Sequence, residues 1–210
     1  MIHRINAAAG AIALLLCLPL TNPVSAAPAG AVTAEADLPA VSAGKLAEIL
    51  KPLEAKALSG RFEERKTIPG FPKPMVTTGR FSLEGSTLVW EAENPFPSKM
   101  TISPEGVVTE AAGEKQVLSA ADIPAVGRVS ELLTGVLAGR FEALSDLFEI
   151  RAAKAGDGKV TISAKPRPKE LAGFMSEVRA TGVTYFEEIH LRSPRGEDTQ
   201  ITFTDVVSQR

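Results

Sequence analysis

The sequence predicts an α+β domain that is mainly antiparallel β-sheet. Short segments of alternating apolar and polar residues recur along it, and turn residues such as Gly85-Ser86 and Pro194-Arg195-Gly196 separate them. Few segments space their apolar residues as a helix does. Because an antiparallel sheet commonly has one apolar face and so few helices are predicted to cover it, this sheet must curl on itself or lie under a lid.

Residues 1–26 have the three parts of a secretory signal peptide. A basic start at Arg4 precedes an uncharged apolar run over 7–20, and small residues follow at Val24-Ser25-Ala26. The run is shorter than the about 20 residues of a membrane-spanning helix. We therefore expect cleavage near residue 26 and a mature protein that has been secreted across a membrane.

Cys17, the single cysteine, lies within this signal and is expected to leave with it. A mature chain without thiols excludes a disulfide framework, a cysteine-liganded metal and a cysteine nucleophile, and it suits an oxidising compartment. The signal holds one arginine and no acidic residue, so its removal changes the formal net charge from −2 to −3. That mixed charge, without a basic patch, argues against nucleic-acid binding.

Residues 27–41 are rich in alanine and proline and predict a flexible leader, and residues 42–210 predict one folded domain. A helix within 42–58 opens the domain, with Ser42 as its N-cap and Pro52 as a point of kinking or division. One apolar stripe along this helix must pack on something, and it consists of Leu46, Ile49, Leu50 and Leu53.

Strands follow this helix, and residues 77–97 contain the clearest of them. A hairpin that turns at Gly85-Ser86 places large apolar side chains on one face, and these are Phe81, Leu83, Leu88 and Trp90. A strand over 60–68 contributes Phe62 before the hairpin. A strand over 99–103 contributes Met100 and Ile102 after it, and a turn at 104–106 leads into the next segment.

The middle of the domain is predicted to be helical and its end to be sheet. Helical spacing relates apolar residues over 126–141, although Gly135 and Gly139 weaken the helix. A second short helix within 141–150 includes Phe148 and runs into a strand. The remaining predicted strands cover residues 159–166, 174–180, 183–193 and 198–206.

The mature chain has few residues in patterns typical of a catalytic or metal-binding site. His190, its one histidine, lies in a predicted strand without a nucleophile or an orienting partner in any motif, and a histidine metal site would need further donors at set spacing. The pairs Glu63-Glu64 and Glu187-Glu188 point to opposite faces of their strands. We therefore expect no catalytic residue, no metal and no cofactor, and we interpret the protein as not an enzyme.

The tripeptide Gly-Arg-Phe occurs three times, at 60–62, 79–81 and 139–141. The first two copies lie in predicted strands and the third follows a predicted helix. Because no fixed period links them, we interpret the recurrence as coincidence rather than as an internal repeat.

Residues 45–207 resemble the LolA-like family of periplasmic lipoprotein carriers. In the first half the resemblance rests on Gly60-x-Phe62 before a basic stretch, Pro74 ahead of Gly79-x-Phe81, and Leu88-x-Trp90-x-x-x-x-Pro95. In the second half, residues 132–150 are similar to the family's helical insert, and Gly196, Asp198, Thr199 and Phe203 to its closing strand pair.

The resemblance implies a curved, incomplete β-barrel closed by short lid helices over an apolar cavity. It also implies a carrier that binds the acyl chains of a lipoprotein or another lipid. The carrier would shuttle its cargo from an inner-membrane exporter to an outer-membrane acceptor, and we expect it to be a monomer. The alternative is a periplasmic domain on the same fold that senses lipid or lipoprotein and regulates a partner.

The cavity would be lined by apolar residues of the predicted strands and lid helices. The same residues would equally fill an ordinary core, and composition alone favours that filled core. The predicted lining residues are Phe62, Phe81, Leu83, Leu88, Trp90, Met100, Ile102, Leu132, Leu133, Val136, Leu137 and Phe148.

The sequence departs from the family in the turn before the tryptophan. The lipoprotein carriers have Arg-Pro there, and the arginine helps to hold the lid shut, whereas this turn is Glu84-Gly85-Ser86. An aromatic-rich strand expected after Gly106 is replaced by residues 107–112, Val-Val-Thr-Glu-Ala-Ala. These departures favour a divergent branch, and a cargo other than a lipoprotein.

Overall fold

The computed structural model describes residues 38–138, 144–173 and 175–209. Within them the strands are β1 (Ala57–Thr67), β2 (Met75–Glu84), β3 (Thr87–Asn94), β4 (Ser98–Ser103), β5 (Gly106–Ala111), β6 (Glu114–Ser119), β7 (Phe148–Lys154), β8 (Val160–Pro166), β9 (Glu177–Gly182), β10 (Phe186–Arg192) and β11 (Asp198–Gln209). The helices are α1 (Ala43–Leu50), α2 (Pro124–Leu137), α3 (Leu144–Leu147) and α4 (Lys169–Ala172), and a 3₁₀ turn covers Lys51–Leu53.

The eleven strands form one antiparallel sheet in the order β6-β5-β4-β3-β2-β1-β11-β10-β9-β8-β7. Two meanders, β1 to β6 and β7 to β11, therefore join where the last strand pairs with the first. The sheet is not closed, because β6 and β7 are its two edges. This architecture confirms the predicted α+β class and the curved half-barrel.

The first helix is shorter than predicted. Ser42 caps α1 as expected, since its Oγ accepts a hydrogen bond from the Lys45 amide at 3.4 Å. The helix ends at Leu50, however, and Pro52 lies in the 3₁₀ turn because its ring does not allow the α-helix to continue. Ala57, predicted to be helical, already belongs to β1.

Other boundaries and one strand also differ from the prediction. Strand β6 was not predicted, because its side chains are mostly exposed and show no apolar alternation. The strand predicted over 174–180 begins at Glu177, after the short α4, and the one predicted over 183–193 begins at Phe186.

The chain before α1 is also attached to the sheet. The predicted signal peptide, 1–26, and the leader up to residue 37 lie outside the described residues. The end of the leader runs along β7, where Ala40 forms a bridge with Arg151, and Pro39 accepts a hydrogen bond from the Ala152 amide at 3.2 Å. No helix in the described part of the chain is long and apolar enough to cross a membrane.

The two faces of the sheet differ in polarity. The inner face carries the apolar core, onto which α1 and α2 pack through buried residues such as Leu50 and Val126. The outer face of β1 to β3 carries ion pairs: the Glu93 carboxylate lies 2.8 Å from the guanidinium groups of both Arg61 and Arg80. The hydrogen bond from Arg61 is the main cause that holds the pKa of Glu93 below its ordinary value.

Two of the Gly-Arg-Phe tripeptides face each other in the β1–β2 pair. Gly60 lies opposite Phe81, and Phe62 lies opposite Gly79. Each phenylalanine therefore faces a residue that has no side chain. The recurrence of the tripeptide, which we interpreted as coincidence, therefore has a packing consequence in the sheet for these two copies.

The rings use the space that these glycines leave. Phe62 reaches across β2 and stacks on Trp90, with ring centroids 3.9 Å apart. Phe81 reaches across β1 and meets Phe203 edge to face at 5.0 Å. Such aromatic pairs contribute about 0.5–1.5 kcal/mol beyond the burial of their area.

Gly79→Ala tests this arrangement. An added Cβ would lie 2.0 Å from the carbonyl oxygen of Glu91, so the β2–β3 pair would have to separate. We expect the free energy of unfolding to fall by about 3 kcal/mol, measured by urea unfolding with Trp90 fluorescence. Gly156→Ala is the control, because nothing lies within 4 Å of its added Cβ. Equal unfolding midpoints for the two variants would contradict the packing role of Gly79.

Candidate functional site

The candidate site is the inner face of the half-barrel. All seven lining residues that were predicted from β1 to β4 are buried there, with at most 8% of any of them exposed. They belong to one apolar cluster, and they are Phe62, Phe81, Leu83, Leu88, Trp90, Met100 and Ile102. The structure thus brings these residues together, and the binding of a lipid by them stays a prediction.

The strand register explains why these side chains meet. Phe81, Trp90 and Met100 lie directly opposite one another on β2, β3 and β4 and form one row. Leu83, Leu88 and Ile102 form a second, parallel row of the same strands. Because side chains alternate between faces along a strand, both rows point to the inner side.

Helix α2 covers the inner face over β4, β5 and β6. It lies close to the sheet, since a Cβ added at Gly127 would be 3.1 Å from the Cβ of Ala120 and 3.2 Å from the carbonyl oxygen of Pro104. At the other end of the helix, the Ala138 carbonyl accepts a hydrogen bond from the Ala55 amide at 3.1 Å. α2 therefore occupies the position of the predicted lid.

The side of α2 that is buried most deeply is not the predicted one. Leu133, Val136 and Leu137 are only partly buried, at the flanks of the contact. The residues that are 1% exposed are smaller and half of them carry hydroxyl groups: Val126, Ser130, Thr134 and Ala138. Their spacing of four residues is helical, but a search for apolar periodicity passes over serine and threonine. Leu132 lies outside the residues whose side chains the structure describes.

One of the two hydroxyl groups under α2 is held by the helix itself. Thr134 Oγ1 donates a hydrogen bond to the carbonyl oxygen of Ser130 at 2.9 Å. Ser130 Oγ is buried without a hydrogen-bond partner among the described residues. Because buried hydroxyls gain less from leaving water than aliphatic groups do, this underside holds α2 on the sheet less firmly than leucines would.

Phe148, the last of the predicted lining residues, is buried at the other end of the sheet. It begins β7, is 3% exposed and belongs to the same apolar cluster. The aromatic rings of β1 to β3 and β11 lie several strands away from it. The apolar inner face is therefore continuous across both meanders.

Glu64 is an inner-face residue whose role the sequence did not predict. Its neighbour Glu63 points outward and pairs with Arg65 at 2.7 Å, as the alternation of a strand requires. The Glu64 side chain instead lies in the apolar interior, 2% exposed, and its Oε2 has no hydrogen-bond partner among the described residues. Burial raises the pKa of Glu64 to about 8, although the positive charge of Lys66 lowers it in part.

The outer face has the opposite character. Two open grooves of about 720 and 510 Å³ lie there, lined largely by charged residues such as Arg80, Glu91 and Lys99. His190 also lies on this face, half-exposed, with its Nε2 3.0 Å from a carboxylate oxygen of Glu188. In the described ranges, no three or more His, Cys, Asp or Glu side chains gather as a metal site would need.

The turn that departs from the family lies beside the connection from the 3₁₀ turn to β1. Its Gly85 amide donates a hydrogen bond to the Lys56 carbonyl at 3.2 Å. Gly85 has a φ of +59°, a conformation that favours glycine, and Glu84 and Ser86 flank it in exposed positions. The turn thus presents the Glu84 carboxylate at an exposed position.

Glu64→Gln tests the buried carboxyl through the pH dependence of stability. The folded protein keeps Glu64 neutral, whereas the unfolded chain ionises it above its ordinary pKa of 4.5. The contribution of this group to stability is therefore complete below that value and is lost as the pH rises through about 8. We expect the free energy of unfolding of the variant to exceed that of the wild type by about 4 kcal/mol at pH 8 and to differ little from it at pH 4.

Urea unfolding at several pH values measures this difference. Glu63→Gln, on the outer face of the same strand, is the control. Its free energy of unfolding should change between pH 4 and pH 8 as that of the wild type does. Parallel stability curves for Glu64→Gln and the wild type would show that the Glu64 carboxyl ionises freely in the folded protein.

No protein-family model matches the sequence, and no curated protein matches it. Three of the solved structures that the fold is similar to come from bacteria. A LolA superfamily protein of Nitrosomonas europaea is 9% identical, with a TM-score of 0.42, over 81% of this chain and 94% of that chain. An outer membrane lipoprotein-sorting protein domain of Vibrio parahaemolyticus is 8% identical, with a TM-score of 0.43, over 79% of this chain and 91% of that chain.

The third structure is the lipoprotein LppX of Mycobacterium tuberculosis, which is 12% identical, with a TM-score of 0.40, over 79% of this chain and 96% of that chain. The names of the first two agree with the family that the sequence resembles. The candidate site is the apolar inner face of the half-barrel beneath α2.

Proposed function

We propose that the protein is a periplasmic carrier that binds the acyl chains of a lipoprotein or another lipid between the inner face of the sheet and α2. The observation that supports this most is the contrast between that face and its cover. The face is a continuous apolar and aromatic surface, whereas the most deeply buried of the described side chains on the helix over it are small residues and hydroxyl groups, among them Ser130 and Thr134. A helix that is held in this way is suited to displacement from the sheet by a ligand.

Burial of an acyl chain would supply the driving force. Each methylene group that leaves water contributes about 0.8 kcal/mol, so a chain of a dozen carbons contributes about 10 kcal/mol before the costs of ordering. Displacement of α2 returns the Ser130 and Thr134 hydroxyls to water. Their hydration offsets part of the free-energy cost of the apolar area that the helix uncovers. The partly buried Leu133, Val136 and Leu137 would then line the opened space.

The location and the partners of the carrier follow from the same proposal. The predicted signal peptide, 1–26, would deliver the domain to the periplasm as a monomer. There it would receive its cargo from an inner-membrane exporter and release it to an outer-membrane acceptor. Glu84-Gly85-Ser86, which lacks the arginine of the lipoprotein carriers, supports a lipid or a lipid-linked product over a lipoprotein as the cargo. The role is one of binding and transfer, without catalysis.

Lipid uptake by the mature protein tests the carrier function. We expect purified protein to take up a fluorescent fatty acid with a change in the emission of Trp90, the single tryptophan, and to retain lipid in native mass spectrometry. Leu133→Arg should weaken uptake about tenfold or more, because it places an unpaired charge against the apolar cluster.

Glu131→Arg is the matched control, since residue 131 lies exposed on the same helix. It introduces the same side chain and should leave uptake unchanged. Thermal unfolding of both variants separates a loss of binding from a loss of folding. If the wild-type protein neither carries lipid nor takes it up, the proposed function is wrong.

Deletion of the gene distinguishes the two classes of cargo. A lipoprotein carrier should leave outer-membrane lipoproteins at the inner membrane when it is absent, which fractionation of the membranes and immunoblotting would detect. We expect correct lipoprotein sorting together with a change in the lipids extracted from the outer membrane. Retention of lipoproteins at the inner membrane would instead identify them as the cargo.

A further inference from the structure

The inner face changes in character along the direction of its strands. At one end Leu83, Leu88 and Ile102 are completely or almost completely buried. The aromatic cluster lies in the middle. At the other end, about 20 Å along β1 at the rise of a strand, the inner residues are Glu64 and Lys66 of β1 and Thr199 of β11. A long, narrow ligand on this face would therefore meet an apolar end and a polar end.

Glu64 and Thr199 are neighbours at the polar end. Glu64 lies opposite Ile201, and Thr199 lies opposite Lys66, so the two residues are diagonal to each other on adjacent strands, at about 7 Å. Glu64 is 2% exposed and Thr199 is 1% exposed. Neither Glu64 Oε2 nor Thr199 Oγ1 has a hydrogen-bond partner among the described residues.

Trp90 adds a third polar atom. Its indole stacks on the ring of Phe62, which is the next inner-face residue of β1 from Glu64. Trp90 Nε1 is buried and likewise has no partner among the described residues. Because buried polar groups in native proteins are nearly always hydrogen-bonded, such atoms without a partner on an apolar face point to a ligand that supplies the partner.

The chemistry of the three groups indicates the kind of atom that they bind. The indole N–H is a donor only, and the threonine hydroxyl can donate. A buried carboxyl without a paired cation is most stable in its neutral form, in which its O–H also donates. The ammonium group of Lys66 compensates it only in part, since it lies 3.7 Å from a carboxylate oxygen of Glu197. Three donors without a net charge suit an uncharged acceptor.

Resting on the proposed carrier function, we propose that Glu64, Thr199 and Trp90 form a polar subsite that binds the ester or amide carbonyl oxygen of an acylated ligand. Every acyl chain of a glycerolipid begins at such a carbonyl. With the carbonyl at this subsite, the chain would extend over the Phe62–Trp90 stack towards Leu83, Leu88 and Ile102. The subsite would thus set the direction of the ligand and distinguish acyl lipids from alkyl lipids.

A matched pair of lipids tests this subsite. Dipalmitoyl phosphatidylglycerol and its dihexadecyl ether analogue have equal chains and headgroups, and only the first has carbonyl groups. The mature protein is mixed with vesicles that contain both lipids in equal amounts, and native mass spectrometry measures the ratio of the two in the complex. We expect the wild type to prefer the ester lipid about tenfold, which corresponds to about 1.4 kcal/mol.

Four variants identify the groups that are responsible. Glu64→Met and Thr199→Val should lower the ratio towards one while uptake of the ether lipid continues, because they remove a hydrogen-bonding group and keep the shape. Glu64→Gln should keep the preference, since its amide also donates. Glu63→Met, on the outer face of the same strand, is the control and should behave as the wild type does.

The outcomes separate this inference from the proposed function. Uptake of neither lipid by the wild type overturns both. Uptake of both lipids in equal amounts overturns the subsite alone, and so does a preference that Glu64→Met and Thr199→Val leave unchanged. Loss of the preference in Glu64→Gln also overturns it, because an ionised carboxylate would then be the group that binds.

Discussion

The fold depends on the packing of aromatic rings across the strands that join its two meanders. Phe62, Phe81, Trp90 and Phe203 come from β1, β2, β3 and β11, and their centroids lie 3.9 to 6.1 Å from those of their neighbours. Strand β11 pairs with β1 at this place, and the edges β6 and β7 do not pair. Contacts at this junction therefore hold the two halves of the open sheet as one curved surface.

The rings can take these positions because Gly60 and Gly79 stand opposite the two phenylalanines. On the outer face the same register sets Arg61 opposite Arg80, and like charges directly opposite each other are unfavourable. Glu93 relieves this repulsion, since its carboxylate lies 2.8 Å from both guanidinium groups. One register thus serves the aromatic core on one face and a charge network on the other.

The interior that results is apolar, and two groups of polar exceptions bear on ligand binding. Under α2 the exceptions are the hydroxyls of Ser130 and Thr134, which make the helix a weakly held cover. At the far end of β1 the exceptions are Glu64 and Thr199, which have polar atoms without partners. Both groups of polar residues lower the stability of the protein without a ligand. A ligand that displaces α2 and supplies a carbonyl oxygen would offset both, so the unfavourable features of the unliganded fold are those that a carrier would use.

Local patterns in the sequence determined the class of the fold, most turns, and the inner face of β1 to β4. Side chains alternate strictly along a strand, so Phe81, Leu83, Leu88 and Trp90 had to share a face wherever the sheet curved. Edge strand β6 and the buried side of α2 were missed because neither shows an apolar period: the first is mostly exposed, and the second mixes small apolar residues with hydroxyls. Residues 38–41 gave no signal for their attachment to β7, since backbone groups form part of those contacts.

Tertiary structure decided which strands meet and therefore what each side chain faces. Alternation along β1 places Glu64 on the same face as Phe62, but it does not say that the Glu64 carboxyl is buried, which depends on the residues that pack around it in the folded sheet. Likewise, two Gly-Arg-Phe tripeptides carry no information until the β1–β2 register sets each glycine opposite a phenylalanine. The physical reason is that alternation is a local property of the backbone, whereas register and burial depend on contacts between residues far apart in the chain.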